Sequence, residues 1–171
     1  MGSHLCAVPA DTVLEALPAE RLVRTPRSQP LHAGLLEVGS ADQRQFIAVL
    51  CARQMMGVTY PARQEDGVVL VFHGGAVGRD PTKPLMGLRV DGVAQVLDLD
   101  ARNLQELPAA MRRLTPWTAG ILELPADGRT LLLQVHDAAS LIGLMLPSTA
   151  VQSESPAAPV PSASKLLALS A

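Results

Sequence analysis

Apolar residues fall in short runs, each broken by a turn signal: Leu31 to Val38, Phe46 to Cys51, Val68 to Phe72, Leu85 to Val90, Val93 to Leu97, Ile121 to Leu124 and Leu131 to Val135. Runs of that length and spacing predict strands, and seven in series predict an all-β barrel or sandwich. Three stretches predict short helices: Ala52 to Met56, Leu107 to Leu114, and Ala138 to Met145. Asp137 stands where the last would need its N-cap.

The pattern repeats. Displacing the chain by 86 residues lays Pro30–Gly57 on Pro116–Gly143 without a gap, with eight identities in 28 positions. Pro30-Leu31-His32-Ala33-Gly34-Leu35-Leu36-Glu37-Val38 falls on Pro116-Trp117-Thr118-Ala119-Gly120-Ile121-Leu122-Glu123-Leu124. Each copy reads as strand, turn, strand, helical turn and Gly stop. A looser echo links Val8–Leu17 with Val90–Leu97. Two related lobes follow, each expected to be a small five-stranded β-barrel, in an all-β chain with a few short helices.

Composition narrows the chemistry. The 171 residues carry a net charge of -2, with twelve arginines and two lysines spread along the chain. No basic field exists to release counterions from a nucleic acid. Only four residues are aromatic, so Leu, Val, Ile, Ala and Met must fill the core. Cys6 and Cys51 are too few for a disulfide framework and lack zinc-site spacing. Cys51 follows an apolar strand and reads as a small buried hydrophobe, and Met55-Met56 as packing. No apolar run reaches the ~20 residues that span a bilayer, so neither membrane insertion nor export is expected, and a cytoplasmic setting fits.

Motifs for catalysis fail one by one. His73-Gly74-Gly75-Ala76 is similar to the oxyanion-hole segment of some esterases, but the Gly-x-Ser-x-Gly elbow is absent from the chain. The pair of glycines therefore reads as a loop leaving a strand. There is no phosphate loop. His32, His73 and His136 are expected to be structural. Glu37 and Glu123 occupy equivalent positions in separate lobes and are expected to face solvent. No enzyme, cofactor or metal site is expected.

The residues Leu85-Met86-Gly87-Leu88-Arg89-Val90-Asp91-Gly92-Val93-Ala94-Gln95-Val96-Leu97-Asp98-Leu99 resemble the signature of CheW-like domains, in which a Gly-apolar-x-Val-Asp-x-Val strand pair leads into a Val-Leu-x-apolar run. Leu5–Leu17, Ala33–Gly57 and Trp117–Gly143 resemble the other parts of that family, in family order. The resemblance implies two five-stranded barrels and a non-enzymatic adaptor coupling chemoreceptors to a histidine kinase in bacteria. Its partners would be a kinase regulatory domain, a chemoreceptor tip or another CheW-like domain, held by grooves and strand edges. The contact residues expected are Leu36, Val38 and Gly39 beside the first repeat's turn, and Leu88, Val90 and Val93 in the best-matched strand pair. The family typically carries Arg-Gly where this chain has Gly39-Ser40, which marks a divergent member, with a different array or localisation role as an alternative that the resemblance allows. The alternative is a duplicated barrel that senses a small ligand between its lobes.

The ends complete the expected domain plan. Met1–His4 reads as left by an expression vector, and residues 5–146 as the CheW-like domain. Pro147–Ser164 holds four Pro, five Ser and four Ala against one charge, the composition of a linker. Residues 165–171 resemble the opening strand that the family places ahead of Leu5. They are expected to complete the first strand's sheet, within one chain or swapped into a homodimer.

Overall fold

The computed structural model describes residues 5–23, 25, 31–40, 44–58, 67–99, 103–126, 129–145 and 164–170. Met1–His4 and most of the proposed linker lie outside them. The first half of the chain runs β1 (Leu5–Pro9), β2 (Val13–Pro18), β3 (Leu22–Val23), β4 (His32–Val38), β5 (Gln45–Cys51), α1 (Ala52–Met55) and β6 (Val68–His73). The second half runs β7 (Pro84–Val90), β8 (Gly92–Leu99), α2 (Ala109–Leu114), β9 (Thr118–Ala126), β10 (Arg129–His136), α3 (Ala138–Gly143) and β11 (Ser164–Ser170). Asp137 caps α3 as its sequence position suggests, its Oδ2 accepting from the Ser140 N–H at 2.8 Å and from its hydroxyl at 2.6 Å.

The strands form two sheets, ordered β2-β6-β7-β5-β4-β3 in lobe I and β8-β11-β1-β10-β9 in lobe II. Both are mostly antiparallel, with one parallel pair each: β5 with β7, and β10 with β1. The expectation of two five-stranded barrels needs adjusting here. Among the described residues, lobe I has six strands, counting the two-residue β3, and in neither lobe does the ladder return from its last strand to its first.

The registers show how closely the halves correspond. β4 and β5 stand 86 positions before their counterparts β9 and β10. Ala7 sits beside Val135 as Gly87 sits beside Val49, so β1 corresponds to β7 at a displacement of 80. The same displacement relates β2 to β8, down to a shared irregularity: β2 skips a residue between Val13 and Glu15, β8 between Val93 and Gln95. Phe72 pairs with Met86 as Leu169 pairs with Cys6, which makes β11 the counterpart of β6, 97 positions on. The echo seen in sequence between Val8 and Val90 is corrected by two residues, to Val8 and Leu88. A slip of two keeps every side chain on its own face, so apolar alternation cannot detect it.

Three apolar clusters hold this arrangement. Leu36, Val38, Ile47, Val49, Val69 and Val71 fill lobe I. Ala7, Leu122, Leu133, Val135 and Leu166 fill lobe II. Between the sheets lies a shared core that draws Cys6, Val8 and Leu169 from lobe II, Leu50, Leu70, Phe72, Met86, Leu88 and Val90 from lobe I, and Ala138, Leu141 and Ile142 from α3. Each strand thus has one face on its own lobe's core while the opposite face meets the shared core or solvent. At the centre of lobe I the strands pack so closely that a Cβ on Gly87 would lie 2.7 Å from Val69 Cγ1 and 2.9 Å from Val49 Cγ2. Ala7 fills the same place in lobe II.

Candidate interaction surface

The six residues singled out from the sequence separate by burial. Leu36, Leu88 and Val90 are at most 1% exposed and Val38 2%. Each of these four faces a packed core, and reaching a partner would mean opening it. Gly39 and Val93 lie at the surface, Val93 at 40% exposure. They belong to different lobes, Gly39 just past β4 and Val93 on β8.

Gly39 adopts φ +100°, a left-handed turn conformation that favours glycine. Together with Ser40, Arg44 and Gln45 it forms one wall of a cleft of about 410 Å³, whose other wall is Thr82, Lys83 and Pro84 at the entrance to β7. Gln45 Nε2 donates to the Pro84 carbonyl at 2.8 Å, tying the two walls together. Arg44 pairs with Glu37 at 3.3 Å, both well exposed. An exposed pair of this kind contributes ~0–1 kcal/mol. Asp80 Oδ1 accepts from the Thr82 N–H and hydroxyl, which holds its carboxyl below the usual carboxylate range and stiffens the Lys83 side. The cleft is polar, and both charged side chains that line it, Arg44 and Lys83, are cationic.

Val93 lies on β8, one margin of the lobe II sheet, where residues 93–96 are all exposed and Val96 reaches 57%. Its counterpart β2 is likewise a margin strand and exposes Leu14 at 43%. Two further apolar residues went unnoticed in the sequence. Phe46 and Leu132 are each 61% exposed and stand at the same place in the two repeats, opposite Glu37 and Glu123. The signal was available, because each alternates with a buried neighbour, Ile47 or Leu133, and period two points it outward. Glu123 accepts from Gln105 Nε2 at 3.2 Å.

The His73 ring bridges the lobes' chain crossing: the Gly75 N–H donates to Nδ1 at 3.0 Å, which leaves Nε2 protonated to donate to the Asp11 carbonyl at 2.6 Å. A Cβ on Gly75 would strike that ring at 2.7 Å, so the glycine makes room for the histidine. His136 is 1% exposed, and burial pushes its pKa down to about 4. Its Nδ1 lies 3.4 Å from the Thr118 hydroxyl. Cys6 is buried, which pushes its thiol up to about 12, and Cys51 is buried as well. Among the described residues, no three His, Cys, Asp or Glu converge as a metal site would require, and no helix is long and apolar enough to cross a membrane.

The Arg53–Asp91 pair stabilises the passage from β7 to β8. Arg53 Nε and Nη2 donate to the two carboxylate oxygens at 2.7 and 2.5 Å, with both side chains about a quarter exposed (22% and 30%). This two-pronged contact raises the pKa of the guanidinium.

Comparison with known proteins bears on the whole of this architecture. The family model for the CheW-like domain matches residues 1–143. Among solved structures, that of the scaffolding protein TtCheW from Thermoanaerobacter tengcongensis is similar in fold, with a TM-score of 0.61 at 16% identity, covering 81% of this chain and 80% of that one. No curated protein matches the chain by sequence.

Proposed function

Because this chain belongs to the CheW-like domain family, a family of chemotaxis scaffolds, we propose that it acts without catalysis, as an adaptor coupling chemoreceptors to a histidine kinase in the bacterial cytoplasm. The observation that carries this reading is the apolar surface left over once both lobes are packed. Phe46 and Leu132 face outward at matching positions, and Val93 and Val96 line a sheet margin. Such exposed apolar positions suit contact with another protein. A kinase regulatory domain, a chemoreceptor tip or another CheW-like domain would meet them. Gly39 and its cleft provide a polar rim in lobe I. The sensor alternative draws no support from the space between the lobes, which the shared apolar core occupies.

The test is capture from a bacterial lysate, with a histidine kinase and a chemoreceptor as the scored prey. The parent chain is expected to retain both. A chain carrying Val93→Asp and Val96→Asp is expected to retain at least ~10-fold less while its thermal midpoint moves by less than ~3 °C, as exposed substitutions do. Recovery of neither prey by the parent chain overturns the proposal.

A further inference from the structure

The strand β11 is unlike the others in how it reaches its place. It lies inside the lobe II sheet, between β1 and β8, and buries Leu166, Ala168 and Leu169. Its counterpart β6 is joined to β7 by a turn of ten residues, whereas β11 and β1 come from opposite ends of the chain. The pairing of Leu5 with Ser170 is therefore a hairpin without its covalent turn.

The approach to β11 is also longer in sequence than its counterpart. In lobe I the chain passes from Gly57, after α1, to Val68 at the start of β6. The equivalent passage in lobe II runs from Gly143 to Lys165. The displacement between repeats grows from 86 to 97 over that passage, so it is eleven residues longer than its counterpart, which covers the equivalent step. Every contact that β11 makes is the same whichever copy supplies the strand, so only the connection distinguishes the two forms.

We propose that β11 is exchangeable and also closes lobe II of a second copy of this chain. A connection of this length holds its own strand at an effective concentration on the order of a millimolar. Dilute chains close themselves. Copies packed at comparable local density exchange strands, giving reciprocal dimers or head-to-tail chains. This inference is independent of which partner the adaptor meets.

Cysteines at Asp98→Cys and Lys165→Cys test it, since these residues pair across β8 and β11 and both are exposed. After warming to allow exchange, oxidation at about 10 µM is expected to give internal cross-links. Oxidation at about 1 mM is expected to link about half the chains to a second copy, by the same estimate of effective concentration. A second variant lacking residues 148–162 leaves less chain than the lobe I passage uses, and is expected to be dimeric by light scattering at about 10 µM with unchanged strand content. Internal cross-links alone at both concentrations overturn the proposal. So does a shortened chain that is monomeric or has lost its strands, because then the slot is not filled from a second copy.

Discussion

The two lobes share a ladder and differ in what they put at matching places. Their hairpins, parallel pairs and margin irregularities coincide, and Val49, Leu36 and Ile47 recur as Val135, Leu122 and Leu133. Yet Leu50, 2% exposed in lobe I, corresponds to the buried His136 of lobe II, and the covalent β6–β7 hairpin corresponds to the open pairing of β11 with β1. The difference teaches that duplication preserved what a register requires, namely side-chain size and face. Polarity at a core position and continuity of the chain were free to diverge, because each alters one contact while the rest of the lattice holds.

The largest effect expected from breaking the comparison lies in the shared core. Phe72 and Leu169 are equivalent and both 0% exposed. Phe72→Ala should cost about 3–5 kcal/mol and Leu169→Ala about 2–5 kcal/mol in denaturant unfolding. Similar losses at an unchanged m-value would show that β11 is held as firmly as its lobe I counterpart. A negligible loss for Leu169→Ala would break the equivalence.

His136 gives the next effect, and it depends on pH. Its folded pKa is about 4, below the ordinary 6.5, so between those values the unfolded chain takes up a proton that the folded chain refuses. The stability contributed by the neutral ring is therefore full above pH 6.5 and is lost as pH falls toward 4, by at most about 3 kcal/mol. His136→Leu, which copies Leu50, should flatten that part of the stability profile measured by thermal unfolding. An unchanged acid slope would place the titrating group elsewhere.

Ion pairs sharpen the comparison least. Arg53→Ala removes both prongs of a contact whose side chains are about three-quarters buried and should cost about 1–2 kcal/mol. Arg44→Ala, at an exposed pair, should change stability by less than about 0.5 kcal/mol. Equal losses in chemical denaturation would contradict the burial difference between them.

Much of the fold was legible before any coordinates. The seven apolar runs lie on strands apart from Leu31, which precedes β4, the 86-residue displacement is the relation between the two hairpins, and Asp137 caps its helix. What period and repeat could not give was which apolar positions face outward. Leu88, Val90, Leu36 and Val38 looked as eligible as Val93, because a strand in a two-lobed fold has one core on one face and a second core on the other. At Phe46 and Leu132 the period-two alternation with buried Ile47 and Leu133 does point outward, but alternation alone does not say whether the outward face meets the second core or solvent.

The sequence by itself determined strand content and the duplication, since these depend on residue type and on spacings of two or 86 along the chain. Only the tertiary structure decided that β1 stands at the middle of the second lobe's sheet, that among the described residues both ladders stay open, and that a buried histidine sits where its twin has leucine. Those outcomes depend on which distant residues share a face, a matter of packing in three dimensions that no run of neighbours encodes.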